Sequence, residues 1–247
     1  GSWFLCRIFG SSELAMAAFF TGITPTATAA AVIVHLLGGR VEYAVSAFLT
    51  TNLGMALLLP FLIPVAIGNP APTVFADVIR SLLVVIGMPL AAAVPIRLFC
   101  KKATELPKKL KNFSFFLWVG AIFLIIANAS AFLHGQSHLP KTVLLEIAAI
   151  SLAICAFNFW FGQFLGGKKF RRESSQVLGQ KNTTLTIYLA LANANPLVAL
   201  GPTFYVLWHN GWNTWQLHRY GRRRHLREIR LKQAQRMNPP QERETND

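Results

Sequence analysis

Lys181 stands in Gly179-Gln180-Lys181-Asn182-Thr183-Thr184, a polar run at the head of an otherwise apolar segment. The amides of Gln176, Gln180 and Asn182 and the hydroxyl of Thr183 can offer oxygens to a cation or donors to an anion, and the Lys181 ammonium can neutralise a negative charge. A second polar run, Thr24-Pro25-Thr26-Ala27-Thr28, interrupts the first apolar segment. Asn52, beside Thr50 and Thr51, lies inside the next one. Helix breaks are costly in hydrocarbon, because freed backbone groups must find partners inside the protein. Pro25 and Gly179 are therefore expected as structural breaks, with Thr24, Thr26, Thr28, Asn52, Gln176, Gln180, Lys181, Asn182 and Thr183 as the substrate- or ion-binding candidates. Two breaks in one chain point to a carrier.

These residues need elements that a bilayer can hold. Hydrophobic residues make up 53% of the 247 and charged residues 14%, with a mean hydropathy of +0.42. A soluble domain carries about 25% charged residues. Measured against the roughly 20 residues that cross a bilayer, the apolar runs give seven spans, at 12–38, 42–67, 73–97, 112–134, 141–166, 174–194 and 196–217. The fold class is an all-α polytopic membrane protein.

The net charge of +14 might be read as a nucleic-acid signal, but its placement says otherwise. Arg97, Lys101, Lys102, Lys108, Lys109 and Lys111 sit between spans three and four. Lys168, Lys169, Arg171 and Arg172 follow span five, and an arginine-rich tail follows span seven. The loops at 67–72, 135–140 and 194–196 hold neither Lys nor Arg. Alternation of basic and non-basic loops marks the two sides of a membrane. It predicts a multi-pass protein of the cell inner (plasma) membrane with a cytoplasmic C-terminus. The partners are then the lipid bilayer and a small solute rather than nucleic acid, and the oligomeric state is left open.

Orientation follows by counting back from the tail. The segments 12–67 and 174–217 are each an interrupted helix, a short turn and a long helix, and they run in opposite directions. Inverted repeats with broken helices describe many secondary transporters. Four regions are expected. Residues 1–67 and 135–217 form two parts of a core domain, 68–134 holds panel-type helices with a basic cytoplasmic linker at 97–111, and 218–247 is a basic tail. The tail is expected to hold a short amphipathic helix (Leu226, Ile229, Leu231) ending at Pro239-Pro240. Cys6, Cys100 and Cys155 form no motif, and His134 and His138 read as solvated loop residues rather than ligands. The chain opens without Met, inside apolar sequence, as a fragment or processed chain would.

The pieces Gly22-Ile23-Thr24-Pro25-Thr26-Ala27-Thr28-Ala29, residues 39–51, Gly179-Gln180-Lys181-Asn182, Asn195-Pro196-Leu197 and Trp208-His209-Asn210 resemble, in that order, the bile acid:sodium symporter superfamily in its bacterial type. The resemblance implies an inverted-repeat transporter of ten helices, with two discontinuous helices crossing at mid-membrane in a core domain and a panel domain beside it. The seven spans correspond to family helices four to ten, and the first three are expected to be absent from this chain. The resemblance also implies sodium ligands: Ser, Asn and Thr on the first crossing helix and its successor, and a Glu and a Gln on the second crossing helix. Aligned at Pro25, this sequence has Ala30 and Ala31 for the Ser-Asn pair, Ala44 and Phe48 for hydroxyl residues, and Gln176 for the Glu, while Gln180 keeps the Gln. A hard cation needs oxygen ligands, usually with negative charge. Na+ coupling is thereby put in question and H+ becomes the other candidate; no cofactor or fixed metal is expected.

Several residues carry two readings. Lys181 can fill the region of a lost cation and balance helix C-termini, releasing a proton to couple transport, or it can attract an anionic substrate. Alternatively it snorkels to the cytoplasmic interface. Thr24, Thr26 and Thr28 can supply site oxygens or bond back to carbonyls around Pro25. Asn52 can face the site or make a polar contact between helices. Trp208, Trp212 and Trp215 read as an aromatic belt, His209 as packing, and Asn193 with Asn195 as an outer turn.

The leading functional reading is a secondary, symporter-like carrier of a small organic anion, bile-acid-like or carboxylate, working by alternating access. An arsenite or metalloid efflux relative is the alternative within transport, but Thr26 stands where such carriers place a Cys. A membrane enzyme would need convergent acids, His or Cys, and none converge here. A non-transporting scaffold would not need two breaks.

Overall fold

The computed structural model describes residues 12–68, 72–99 and 142–237, with single helical residues scattered between 113 and 135. The expected span at 112–134, the linker at 97–111, the loop at 135–140, Cys6, Cys100 and the terminus beyond 237 lie wholly or largely outside the described residues. The described parts are helical, apart from one isolated β-bridge.

Helix α1 (Ser12–Ile23) stops ahead of Thr24-Pro25, since a residue before proline is driven out of the helical region. Helix α2 (Ala29–Leu36) resumes after the break and ends at Gly38, whose φ of +69° closes a tight turn into α3 (Val41–Ala66). After Gly68, Pro72 opens α4 (Pro72–Leu82), which runs through a π-helical turn at Leu83–Gly87 into α5 (Met88–Phe99). The sequence suggested an uninterrupted span at 73–97. Pro89 explains the π turn: it has no N–H to donate to the carbonyl four residues back, and the backbone widens just before it.

Helix α6 (Val143–Gly166) leads through a basic turn to α7 (Arg171–Gly179), a second break, and α8 (Thr183–Asn193). Helix α9 (Pro196–Met237) begins where the Asn195 carboxamide oxygen accepts the Val198 N–H at 3.0 Å, an N-cap. It then continues without interruption, where the sequence suggested a span ending at 217 and a separate short helix. The composition turns polar there, but Arg, Leu, Gln and Lys are good helix formers, and no proline intervenes before Pro239.

Among the described residues, α3 and α6 are long and apolar enough to cross a membrane. On α3 the residues Leu49, Leu53, Leu57, Phe61 and Val65 recur every fourth position and are each more than half exposed. Water would not tolerate such a stripe on one helix; hydrocarbon or a partner helix does. The opposite faces build the core. Phe20, Leu59, Ile63, Val78, Leu189 and Val198 gather α1, α3, α4, α8 and α9, while Ala18, Cys155, Phe159 and Tyr205 join α1, α6 and α9.

Small residues bring the backbones close. A Cβ built on Gly162 of α6 would run into the Ser174–Ser175 backbone of α7, and one on Gly201 of α9 would meet the Thr21 hydroxyl and Ala17 carbonyl of α1. Ser151 Oγ donates to the Gly201 carbonyl at 2.9 Å, and Ser175 Oγ to the Phe159 carbonyl at 3.0 Å. Gly162→Ala is therefore expected to destabilise the protein by about 1–3 kcal/mol through overpacking. Gly54→Ala, with nothing within 4 Å of the new methyl group, should be neutral. Thermal unfolding of both variants in detergent checks this, and equal melting temperatures would rule out the tight α6–α7 contact.

Candidate functional site

The two breaks meet. Thr26 and Lys181 form an antiparallel bridge in which the Ala27 N–H donates to the Gln180 carbonyl at 2.9 Å and the Asn182 N–H donates to the Pro25 carbonyl at 2.8 Å. Two amides and two carbonyls that leave the helices at the breaks are thus paired across the junction. The C-termini of α1 and α7 and the N-termini of α2 and α8 all converge there.

Side chains close the junction. Thr26 Oγ1 donates to the Val177 carbonyl at 2.8 Å. Thr24 Oγ1 donates back to the Phe20 carbonyl at 2.8 Å and lies 3.0 Å from Thr186 Oγ1. Asn52 reaches in from α3, its Nδ2 donating to the Thr26 carbonyl at 2.9 Å and to the Phe48 carbonyl at 2.8 Å. Tyr205 of α9 donates its hydroxyl to the Gly179 carbonyl at 2.9 Å. The Thr24 hydroxyl thus bonds back to a carbonyl of its own helix, whereas the Thr26 hydroxyl bonds across to α7.

The remaining candidates divide. Gln176 and Gln180 are buried; Gln176 Nε2 donates to Gln216 Oε1 at 2.6 Å, while Gln176 Oε1 and Gln180 Nε2 have no partner. Lys181 and Asn182 are half-buried, and the Lys181 ammonium makes no hydrogen bond or ion pair with any described residue. Thr183 is buried, and its carbonyl accepts from Thr186 Oγ1 at 3.2 Å. Thr28 is exposed at the head of α2 and makes no capping bond, so it is not drawn into the junction.

Residues 2–136, more than half of the chain, match the Sodium Bile acid symporter family. The chain belongs to the sodium bile acid symporter family. No curated protein matches it. A family of symporters together with apolar helices makes this a membrane transport protein. The family match ends at 136, ahead of the second break, so 179–183 is tied to the first break by the hydrogen bonds just described.

The symporter family name implies sodium, and the donor set can be tested against it. Ala30 and Ala44 are fully buried and carry no side-chain oxygen, and the hydroxyls of Thr24 and Thr26 are already engaged. Gln176 Oε1 is one orphaned oxygen, with the Lys181 cation on the same break. Ala30 and Ala44 thus contribute no oxygen and Gln176 only a neutral one, so the positions compared lack the charged donors a sodium site usually has.

Several participants in this transport protein's junction escaped the sequence reading. Thr186 and Tyr205 look like ordinary residues of apolar helices, and only the tertiary pairing gives them partners. Trp208, read as interfacial, donates its indole N–H to the Ala148 carbonyl at 3.2 Å, and Trp212 stacks on Phe159 at 5.3 Å. Of the three tryptophans, Trp215 is half exposed. Glu173 was hidden inside a basic stretch, yet it is buried and accepts the Arg40 N–H at 2.8 Å.

The Thr24–Thr186 contact is testable as a pair. A double-mutant cycle of Thr24→Val and Thr186→Val is expected to give a coupling of about 0.5–1.5 kcal/mol in unfolding free energy, the range of hydroxyl pairs between membrane helices. Strict additivity would mean that the two breaks are not held together by these hydroxyls.

Proposed function

We propose that the protein is a secondary active carrier of a small organic anion, bile-acid-like or a simple carboxylate, with the crossing of the two breaks as its binding centre. The observation that carries this reading is the Lys181 ammonium, which makes no hydrogen bond or ion pair with any described residue and stands on the break that pairs with Pro25. A cation held there without a counter-ion favours an anionic ligand. Two helix N-termini converge on the same point, and neither Thr28 nor Asn182 caps its helix with a side chain. Thr28 and Thr184, at the heads of those helices, are exposed, so an anion can approach the dipole ends.

Access has a candidate path. A cavity of about 660 Å³ is lined by Arg40, Glu42, Tyr43, Thr50 and Thr51 along α3 and by Phe170; it carries one base and one acid and reaches the residue next to Asn52. That volume suits a small organic solute. Alternating access would move the core parts, 1–67 and 135–217, against the panel-type helices at 68–134, with the tail on the cytoplasmic side as the basic loops require. The inverted repeats would make the two broken helices equivalent halves of one gate. Family and site both speak for transport rather than catalysis. The metalloid alternative gains no support: Thr26 has no thiolate, and its hydroxyl is spent on Val177.

Uptake into proteoliposomes tests the reading, with a panel of bile acids and short carboxylates and with sodium or pH gradients imposed separately. Lys181→Gln is expected to reduce uptake of the anion by roughly tenfold or more, the worth of one charged hydrogen bond, while Lys181→Arg retains part of it. A greater drive from the pH gradient than from the sodium gradient is expected. Unchanged uptake by Lys181→Gln would overturn the role given to this residue.

A further inference from the structure

On the other side of α7 lies a cavity that the transport reading does not use. Its volume is about 770 Å³, and four arginines line it: Arg171 and Arg172 from α7, Arg219 and Arg223 from α9, with Trp212 and Trp215 among its walls. No acid lines it. Glu173, the nearest acid in sequence, is buried with its carboxylate on the Arg40 N–H at 2.8 Å.

The guanidinium groups are positioned but not neutralised. Arg171 Nε donates to Gln163 Oε1 at 3.2 Å. Arg172 Nη1 donates to the Leu37 carbonyl at 3.0 Å, and its guanidinium lies 5.3 Å from the centre of the Tyr220 ring. The Arg219 guanidinium lies 5.2 Å from the centre of the Trp215 ring. Arg223 makes no hydrogen bond, ion pair or ring contact with any described residue. Each guanidinium has five donors, so most of them remain open. Like charges one turn apart on α9 and adjacent on α7 repel one another unless an anion lies between them. Trp212, Trp215, Arg219 and Arg223 share one face of α9, which makes the cavity apolar toward the membrane-embedded part of the helix and basic toward its far end.

We propose that this cavity binds the phosphate headgroup of an acidic membrane lipid. Tryptophans at the level of the headgroups and a basic pocket between helices are the features that such lipids select. Planar guanidinium forks suit phosphate oxygens, and the half-exposed Trp215 marks where an acyl chain leaves the pocket. The ligand would bridge α7, which ends at the crossing, to α9, so its occupancy sets how firmly these two helices are joined.

The full chain in neutral detergent provides the test. Phosphatidylglycerol, phosphatidylcholine and inorganic phosphate are titrated separately, with lipid retention read by native mass spectrometry and stability by melting temperature. Phosphatidylglycerol is expected to remain bound and to raise the melting temperature, and phosphatidylcholine is not. The double variant R219Q/R223Q is expected to weaken phosphatidylglycerol binding by roughly tenfold to thirtyfold, at the usual worth of a basic residue near an anionic surface. Arg223→Gln alone, which removes no contact with any described residue, should show a smaller loss in a chain that folds normally. The charge-matched control K168Q/K169Q, outside the cavity, should bind like the parent. Equal retention of both lipids, or unaltered phosphatidylglycerol binding by the arginine variants, would overturn the proposal. So would full protection by inorganic phosphate alone, which would make this a site for free anions.

Discussion

A backbone that leaves its helix inside an apolar environment must place its freed N–H and C=O groups somewhere, and this requirement organises the molecule. Each orphaned group in hydrocarbon costs several kcal/mol. Pro25 and Gly179 open two such gaps, and the antiparallel bridge between Thr26 and Lys181 pairs an amide and a carbonyl of each with the other. The breaks are therefore interdependent. Removing either would strand the carbonyl or amide of the other, so the chain must carry both or neither.

Once the backbone is satisfied, the surrounding side chains lock the pairing. Asn52 fixes α3 to the first break, Tyr205 fixes α9 to the second, and Thr26 stitches the first break to the last turn of α7. What is left over is chemically telling. The unmatched polar groups near the junction belong to side chains of α7 and the second break: Gln176 Oε1, Gln180 Nε2 and the Lys181 ammonium. A cation and two amides with open hydrogen-bonding groups on one side of the crossing support reading it as a binding centre.

The breaks themselves were legible because proline and glycine act on their own backbone. Thr24-Pro25 and Gly179-Gln180 carry their conformational consequence in the local sequence, and the polar neighbours advertise it. The assignment of partners was not legible. Whether Thr24 or Thr28 serves the junction depends on the register between helices some 160 residues apart (Thr24 meets Thr186), and no local pattern encodes that register. The long α9 was obscured for a different reason. A change from apolar to basic composition marks where lipid ends, but helix propensity persists across that border until Pro239. The π turn before Pro89 shows the converse case, a proline that a helix absorbs by local widening instead of ending.

The short helix α7 then acquires a particular mechanical role. Arg172, in its first turn, donates to the Leu37 carbonyl at the C-terminal end of α2, and the neighbouring Glu173 accepts the Arg40 N–H at the N-terminal end of α3. Each charge opposes the dipole end that it touches, a cation on a C-terminus and an anion on an N-terminus, so both contacts reinforce the α2–α3 turn. At its far end the same helix carries Gly179 and the crossing. Nine residues of helix span only about 13 Å, a strut too short to bend. A displacement of the α2–α3 turn must therefore move the second break with it. The α2–α3 turn is also the continuation of the first break, so the junction and the turn form a closed loop of rigid pieces. Such a loop shifts as a unit or not at all, which is the property the proposed binding centre of a carrier would need.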